Sequence, residues 1–261
     1  MRSLTAIFKI FLLACWSIPM VLVQLLVRPF TTGRGAYTVP HFWHKGICRI
    51  LGLKVEICGT PVHNAQLIYI SNHLSYLDIP VIGSVLKASF IAKEDIANWP
   101  VIGYLATLQQ TAFISRASNK AKKVANALDD MLRQGKSLIL FPEGTSTPGL
   151  TVIPFKSSLF ALALPKESSP IPIQPFIIEL IEVNGATPTL TTRDYYSWYG
   201  DMEFAPHIWV YLKNKGATAR LTFKDVITPT TADDRKTLCQ QVETAIRAGL
   251  AASSAPTGRA S

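Results

Sequence analysis

The sequence contains little cysteine, and its few cysteines follow no motif spacing. The four residues, Cys15, Cys48, Cys58 and Cys239, never form a Cys-x2-Cys pair, so the chain indicates neither a zinc site nor a disulfide framework. Internal repeats, low-complexity segments and nucleic-acid-binding signatures are also missing. We therefore expect a reducing location facing the cytoplasm, with no metal and no nucleic acid among the ligands.

Acidic residues are scarce as well. The chain has 17 aspartates and glutamates against 26 lysines and arginines, which gives a net charge of +9 and a pI near 9.4. This balance favours an anionic partner, and without a nucleic-acid motif the remaining candidates are an acidic membrane surface and a phosphorylated substrate. Because 48% of the 261 residues are hydrophobic, the chain can bury one large core.

Charge is absent altogether from the run Ile10 to Val27. This run approaches the length of about 20 apolar residues that a membrane-spanning helix needs. Basic residues flank both ends and give no clear inside bias, and Pro19 would kink the middle. No small-x-small cleavage site follows, which argues against a signal peptide. We predict that residues 1–35 anchor the chain to a membrane, either as a full span or within one leaflet.

A second helix is expected from His41 to Leu51, where aromatic and basic residues alternate at helical spacing. Such a helix suits the membrane interface. His41 and His44 are three residues apart, as two metal ligands on one helical face would be. No third ligand stands nearby, so we interpret them as interfacial histidines.

The chemistry is concentrated after the apolar run Leu67 to Ile70, where His73 and Asp78 stand five residues apart. Within one helix, at about 100° per residue, positions five apart would lie about 140° from each other. We therefore place His73 in the turn before a helix and Asp78 in its first turns. A carboxylate there can hold one imidazole nitrogen while the other nitrogen takes a proton from a hydroxyl. The alternative is that Asp78 only caps the helix.

Three later segments extend this pattern. Ala112 to Arg116 reads Ala-Phe-Ile-Ser-Arg, Phe141 to Thr147 reads Phe-Pro-Glu-Gly-Thr-Ser-Thr, and Ile171 to Ile173 is an apolar-Pro-apolar block. In this order, after the Asn-His-x4-Asp motif, they resemble the glycerolipid acyltransferase family typified by 1-acylglycerol-3-phosphate acyltransferase. The resemblance covers roughly residues 40 to 225.

The order of strands, motifs and helices predicts a single α/β domain with a largely parallel sheet and functional loops at the strand ends. We assign the anchor to residues 1–35, the acyltransferase domain to residues 36–250 and a disordered tail to residues 251–261. The resemblance implies acyl transfer from acyl-coenzyme A or acyl carrier protein, as a substrate, to a lysophospholipid hydroxyl. It implies no metal and no cofactor.

The resemblance also suggests roles for individual residues. His73 would be the general base, Asp78 would fix its tautomer, and Arg116 would hold the head group of the acceptor. Backbone N–H groups near Gly144 would stabilise the oxyanion. Substrate-binding positions carried over from the family are Asn72, Lys93, Arg116, Glu143, Gly144, Thr145 and Lys156.

Two positions depart from the family pattern. Ser115 stands where an acid usually precedes the arginine, and Ser146 stands where an arginine usually follows the threonine. The commonest activity of the family favours 1-acylglycerol-3-phosphate as acceptor, giving phosphatidate at a bacterial-type inner membrane with the catalytic domain facing the cytoplasm. The missing charges leave a lyso-ornithine lipid acceptor and a non-catalytic lipid-binding protein as alternatives.

The remaining stretches give weaker predictions. We interpret Tyr195 to Asp201 as a lid or an interfacial contact, and His207 to Leu212 and Ala219 to Val226 as strands. The prolines of Ile171 to Ile178 should confine that stretch to a sheet edge or a bulge. The last predicted helix is Ala232 to Leu250.

Overall fold

The computed structural model describes residues 2–114, 121–165 and 169–254. A seven-stranded sheet runs through these parts in the order β1-β7-β6-β2-β5-β3-β4. Neighbouring strands are parallel except β6 and β7, which confirms an α/β fold with a largely parallel sheet. The strands are β1 Leu53–Cys58, β2 Ile68–Ile70, β3 Ser89–Lys93, β4 Ala112–Ile114, β5 Leu138–Leu140, β6 Ile173–Val183 and β7 Ala217–Phe223.

Helices cover both faces of this sheet. Tyr69 and Ile139 point to the face that carries α2, α3 and α7, and Ile68 and Leu138 point to the face that carries α5 and α8. Strands buried on both faces must be apolar throughout, as β2 and β5 are. The α-helices are α1 Arg2–Val27, α2 Thr38–Leu51, α3 Asp78–Gly83, α4 Ile102–Leu108, α5 Ala121–Arg133, α6 Leu190–Arg193, α7 Phe204–Leu212 and α8 Arg235–Ser254.

The predicted edge position of the proline-containing strand is wrong, because β6 lies in the middle of the sheet between β7 and β2. The missing N–H of Pro175 is tolerated there because antiparallel pairing with β7 begins only at the next residue, Phe176. Pro175 still contributes its carbonyl, which accepts from Lys224 N–H at 2.9 Å. A bulge does occur in β6, but between Leu180 and Glu182, away from the prolines.

The stretch His207 to Leu212, predicted as a strand, is helical and belongs to α7. Its aromatic and branched residues favour strands by propensity, but tertiary packing overrides this preference. Tyr211 and Leu212 pack side by side in the core, and Pro206 lies in the first helical turn, where a missing N–H is harmless. The strand predicted at Ala219 to Val226 is confirmed as β7, which begins two residues earlier and ends at Phe223.

One other boundary differs from the expected one, at the C-terminal end. Elsewhere, a 3-10 helix over Ser157–Ala163 follows Lys156. Helix α8 continues to Ser254, so the first four residues of the predicted tail are helical, while residues 255–261 lie outside the described residues.

Helix α1 lies along the domain and is held there by hydrogen bonds that three of its side chains donate. Lys9 Nζ donates to the carbonyls of Leu51 and Asn214 at 3.2 and 2.8 Å. Trp16 Nε1 donates to a carbonyl of α2 at 3.0 Å, and Gln24 Nε2 donates to a carbonyl of α4 at 3.0 Å. Positions 9, 16 and 24 recur every two helical turns, so they share one face. That face docks α1 on the protein over about 22 Å.

The opposite face of α1 is apolar and uncovered. Leu4 is 72% exposed, Leu26 is 73% exposed, and Phe30 just beyond the helix is 87% exposed. The segment Arg2–Phe30 contains an 18-residue window with a mean hydropathy of 2.4 and is long and apolar enough to cross a membrane. An apolar surface of this extent indicates contact with lipid.

Candidate active site

The turn after β2 brings His73 and Asp78 together. Asp78 is the first residue of α3, and its Oδ2 lies 2.7 Å from Nδ1 of His73. The backbone N–H groups of Leu74 and Ser75 donate to the same oxygen at 2.7 and 3.0 Å. Asp78 is fully buried, so these donors replace the water that a carboxylate would otherwise hold. The predicted placement of the two residues is confirmed.

This geometry selects one tautomer of His73. A carboxylate can only accept, so Nδ1 carries the proton and Nε2 keeps its lone pair. Nε2 has no hydrogen-bond partner within the described parts of the chain. The ring stacks on Phe141 with 4.1 Å between centroids and an interplanar angle of 15°. The side chain is 20% exposed, which leaves Nε2 available to a substrate hydroxyl.

Tyr196 completes the support of the dyad and was not among the predicted site residues. Its hydroxyl donates to Oδ1 of Asp78 at 2.8 Å, the oxygen that His73 does not use. Burial raises the pKa of Tyr196 well above its ordinary value, and the negative charge of Asp78 raises it further. Tyr196 therefore remains a donor at all physiological pH values. The aromatic stretch around Tyr196 was the only sequence signal for this role. Asp78 lies 118 residues away in the sequence, so their contact could not be predicted from it.

Glu143 supports the turn from the neighbouring strand. One carboxylate oxygen accepts from the backbone N–H of His73 at 2.9 Å, and the other accepts from that of Ile153 at 3.0 Å. Glu143 is 2% exposed. Burial raises its pKa, while both hydrogen bonds oppose the shift. With one backbone donor on each oxygen, Glu143 fixes the motif loop to the turn that carries His73, and its contact with substrate stays a prediction.

Asn72, carried over as a substrate-binding residue, also has a structural role. Its side-chain amide donates to the carbonyl of Ile178 at 3.0 Å, and its side-chain oxygen accepts from the N–H of Ile178 at 2.9 Å. The residue is fully buried. Asn72 therefore ties the motif turn to β6, and its role in substrate binding stays a prediction.

Gly144 suits its position through its backbone conformation. Its φ is +70°, which residues with a side chain rarely adopt, and the flexible side chain of Lys156 crosses it, with Nζ 2.2 Å from where a Cβ would lie. The N–H of Gly144 donates to the carbonyl of Phe141 at 3.1 Å and is not free for an oxyanion. Thr145 and Lys156 are exposed beside this loop. Lys156 thus brings a cation to the surface that a substrate would approach.

The aromatic segment Tyr195 to Asp201 is attached to both motif loops and is neither a free lid nor an isolated interfacial contact. The N–H of Trp198 donates to the carbonyl of Leu74 at 2.9 Å, and the carbonyl of Trp198 accepts from the hydroxyl of Ser146. The Tyr76 ring, three residues beyond His73, packs edge-on against Trp198 and Phe204. An aromatic wall therefore stands next to the dyad.

The other predicted cations lie on neighbouring strands. Because β2, β5, β3 and β4 are parallel, their carboxyl ends meet at one edge of the sheet. Lys93 is the last residue of β3 and is therefore at the same edge as His73. Arg116 and Ser115 lie outside the described residues, two positions and one position after the end of β4.

The two histidines of α2 are not both interfacial. His41 is half-buried, with Nδ1 2.9 Å from the carbonyl of Gly83. His44 is 1% exposed, and burial lowers its pKa to about 3, with the side chain of Gln109 opposing the shift. The interfacial interpretation of His44 is therefore wrong, because the ring fills the space over Gly83 where a side chain would otherwise project.

A histidine oriented by a buried carboxylate, at the edge of a largely parallel sheet, is the arrangement with which enzymes activate a hydroxyl group. The model of the Acyltransferase family matches residues 54–179. A lyso-ornithine lipid O-acyltransferase from Brucella abortus is 34% identical over 217 residues, which cover 81% of each chain. The chain belongs to this acyltransferase family.

Other relatives carry a different name. A 1-acyl-sn-glycerol-3-phosphate acyltransferase from Neisseria meningitidis is 29% identical over 79% of this chain and 78% of its own. The fold is similar to that of the 1-acyl-sn-glycerophosphate acyltransferase PlsC from Thermotoga maritima, with a TM-score of 0.69, 19% identity and 98% of both chains covered. The protein is thus an acyltransferase with a lipid acceptor, and its N-terminal apolar helix associates it with a membrane.

Proposed function

We propose that the protein transfers an acyl group from a thioester to the hydroxyl of a lyso-lipid. The 2.7 Å contact between His73 Nδ1 and Asp78 carries this proposal, because it leaves Nε2 as a base. Nε2 takes the hydroxyl proton as the oxygen attacks the thioester carbonyl. Collapse of the tetrahedral intermediate expels the thiolate, which takes the proton back from the imidazolium. A lipid-binding protein without turnover would not need such an oriented base.

For the acceptor, we propose a lyso-ornithine lipid ahead of the lysophosphatidate that the commonest family activity favours. Ser146 replaces the arginine of the family, and its hydroxyl is occupied by the carbonyl of Trp198. The site therefore lacks a cation that a phosphate head group would use. Relatives named lyso-ornithine lipid O-acyltransferase, from Brucella abortus and Rhodobacter capsulatus, are both 34% identical to this chain.

Lysophosphatidate remains the second candidate. Lys156 crosses the Gly144 loop and supplies a positive charge where a phosphate would approach. The relative from Neisseria meningitidis carries the corresponding name.

A competition assay separates the two acceptors. Membranes containing the protein receive equal amounts of lyso-ornithine lipid and lysophosphatidate with a labelled thioester donor. We expect the lyso-ornithine lipid to be acylated first, and Ser146→Arg to shift the ratio toward lysophosphatidate. Preferential use of lysophosphatidate by the unsubstituted protein would reverse the assignment of the acceptor while leaving the role of His73 intact.

We propose acyl carrier protein or coenzyme A as the thiol of the donor, with no metal or cofactor in the reaction. A thioester already contains a good leaving group, so the base alone can begin the transfer. Running the same assay with each thioester in turn identifies the donor.

We also propose that α1 lies in the plane of one leaflet of a bacterial inner membrane, with the catalytic domain facing the cytoplasm. The hydrogen bonds from Lys9 and Gln24 support this placement, because a helix docked on the domain at both ends cannot also cross the bilayer away from it. Alkaline phosphatase fused to the N-terminus should then stay inactive inside the cell. Active phosphatase in the periplasm would indicate a full span.

A further inference from the structure

A second concave region lies at the far end of α3 from the dyad. It is a cavity of about 970 Å³ walled by α2, β1 and the segment that joins α3 to β3. Asp78 begins α3, whereas the cavity residues Ser84 and Lys87 follow its end. The six residues of α3, about 9 Å in length, therefore separate the two regions. Neither the dyad nor the Glu143 loop lines the cavity.

The wall of this cavity is strongly basic. His41 and His63 add two imidazoles to it, and no carboxylate belongs to the lining drawn from the described residues. The lysines and arginines of the wall are Arg34, Lys45, Arg49, Lys54, Lys87 and Lys215.

Neighbouring groups do not neutralise this charge. Within the described ranges, no ion pair joins any of the six basic side chains to a carboxylate. The acid on β1, Glu56, pairs instead with Arg220 at 2.8 Å. Burial lowers the pKa of His63, and the charges of Arg34 and Lys87 lower it further. Like charges crowded in a concave wall focus a positive potential that an anion would relieve.

We propose that this cavity binds the phosphate head group of an anionic membrane phospholipid, at a site separate from the one that holds the acceptor. Its volume falls within the range of about 300–1,000 Å³ that is usual for ligand cavities. Basic pockets next to membrane-associated helices are suited to anionic head groups, whose phosphates take several charge-assisted hydrogen bonds.

The position of the cavity favours a lipid over a soluble anion. Arg34 follows four residues after Phe30, which is 87% exposed. Lys45 lies 5.8 Å from the ring centroid of Phe42, which is 55% exposed on α2. Exposed aromatic rings beside long basic side chains are typical of the boundary between acyl chains and head groups. The basic wall therefore begins where the apolar surface of the anchor ends.

Two matched variants test the proposal. The cavity variant combines Lys45→Gln, Arg49→Gln and Lys87→Gln. The control variant combines Lys224→Gln, Arg235→Gln and Lys236→Gln and removes the same charges from residues outside the cavity lining. Full-length proteins are bound to vesicles of phosphatidylcholine, with and without phosphatidylglycerol, and to inorganic phosphate. Acyl transfer in neutral detergent micelles confirms that each variant is folded.

We expect the cavity variant to lose roughly a hundredfold of the preference for phosphatidylglycerol, since each cation near an anionic surface contributes about fivefold. The control variant should keep that preference, and both should transfer acyl groups in micelles. Equal losses in the two variants would reduce the effect to net charge and overturn the proposal. The proposal would also be overturned if the cavity variant lost the binding of inorganic phosphate but kept its binding to phosphatidylglycerol vesicles. A raised KM for acyl carrier protein with unchanged vesicle binding would reassign the cavity to a carrier protein.

Discussion

At the scale of single residues, the dyad makes the first prediction. His73→Ala removes the base and should lower kcat by about 10²- to 10⁴-fold. Asp78→Asn should also lower it severely, because the amide cannot hold the proton on Nδ1 and leaves the wrong tautomer. Acyl transfer measured with purified protein in membranes checks both. Thermal unfolding of His73→Ala should match the unsubstituted protein, and near-normal turnover in that variant would refute the assignment of the base.

Tyr196 allows a second test with a control inside the same core. Tyr196→Phe removes the hydrogen bond to Oδ1 of Asp78. The carboxylate of Asp78 then keeps more of its negative charge and stabilises the protonated form of His73 more strongly. We expect a lower kcat and an acidic limb of the kcat/KM profile that moves to higher pH. Tyr211→Phe removes a hydroxyl that is equally buried but has no partner within the described residues.

The Tyr211→Phe control should therefore leave the pH profile in place and cost no stability, because no hydrogen bond is lost. If both variants shifted the profile alike, the change would come from core packing, and Tyr196 would not be a positioning residue.

These residues also show how far sequence reasoning reaches. The spacing of His73 and Asp78 was sufficient to place one in a turn and the other at a helix start, since local geometry decides such a contact. The hydrogen bonds of Asp78 with Tyr196 and of Asn72 with Ile178 join positions 118 and 106 residues apart. No local pattern encodes such distances, so neither the contact of Asn72 with β6 nor the contact of Tyr196 with Asp78 could be predicted from the sequence.

At the scale of elements, the packing of α2 on α3 creates a dependence of stability on pH. His44 lies between these helices with a pKa lowered to about 3 from 6.5. Between these values the unfolded chain binds a proton that the folded chain does not, so stability is present above pH 6.5 and is lost as the pH falls. His44 alone should lower the free energy of unfolding by about 1.4 kcal/mol per pH unit in that window.

Urea unfolding at a series of pH values measures this slope. His44→Leu should remove the contribution of His44 to the slope, whatever the change in stability at neutral pH. His41→Gln, on the same helix but half-buried, should remove less, since burial lowers the pKa of His41 less completely. An unchanged slope in His44→Leu would show that His44 is not the group responsible.

The elements were predicted unevenly from the sequence. β2 coincides with the apolar run Leu67 to Ile70, because a strand covered on both faces must be apolar along its whole length. α7 was predicted as a strand because a short apolar run satisfies a strand and a helix equally well, and no local pattern shows where β6 lies in the sheet. α7 is helical because this conformation buries Tyr211 in a core built from distant parts of the chain. β6 can occupy the middle of the sheet because its pairing with β7 begins only after Pro175.

At the scale of the whole molecule, the two faces of α1 predict different mutant effects. Phe11 and Leu22 are 61% and 57% exposed. Burying each side chain in lipid should stabilise membrane binding by about 1.5–3 kcal/mol. Phe11→Ser with Leu22→Ser should therefore release much of the protein from membranes in a flotation assay. Lys9→Met, on the docked face, should leave flotation intact and lower thermal stability instead. Unchanged flotation of the double variant would remove the exposed face from membrane binding.

The contact between Lys9 and Asn214 also constrains how the protein is made. The two residues are 205 positions apart, so at about 5–20 residues per second α1 leaves the ribosome some 10–40 s before its partner exists. During that interval Lys9 can already meet the carbonyl of Leu51 on α2, but its second partner is missing, and no part of the described domain covers the exposed apolar face of the helix. A bilayer can cover that face while the rest of the domain is still being made. A chain released away from a membrane would keep this face in water and would be prone to aggregate.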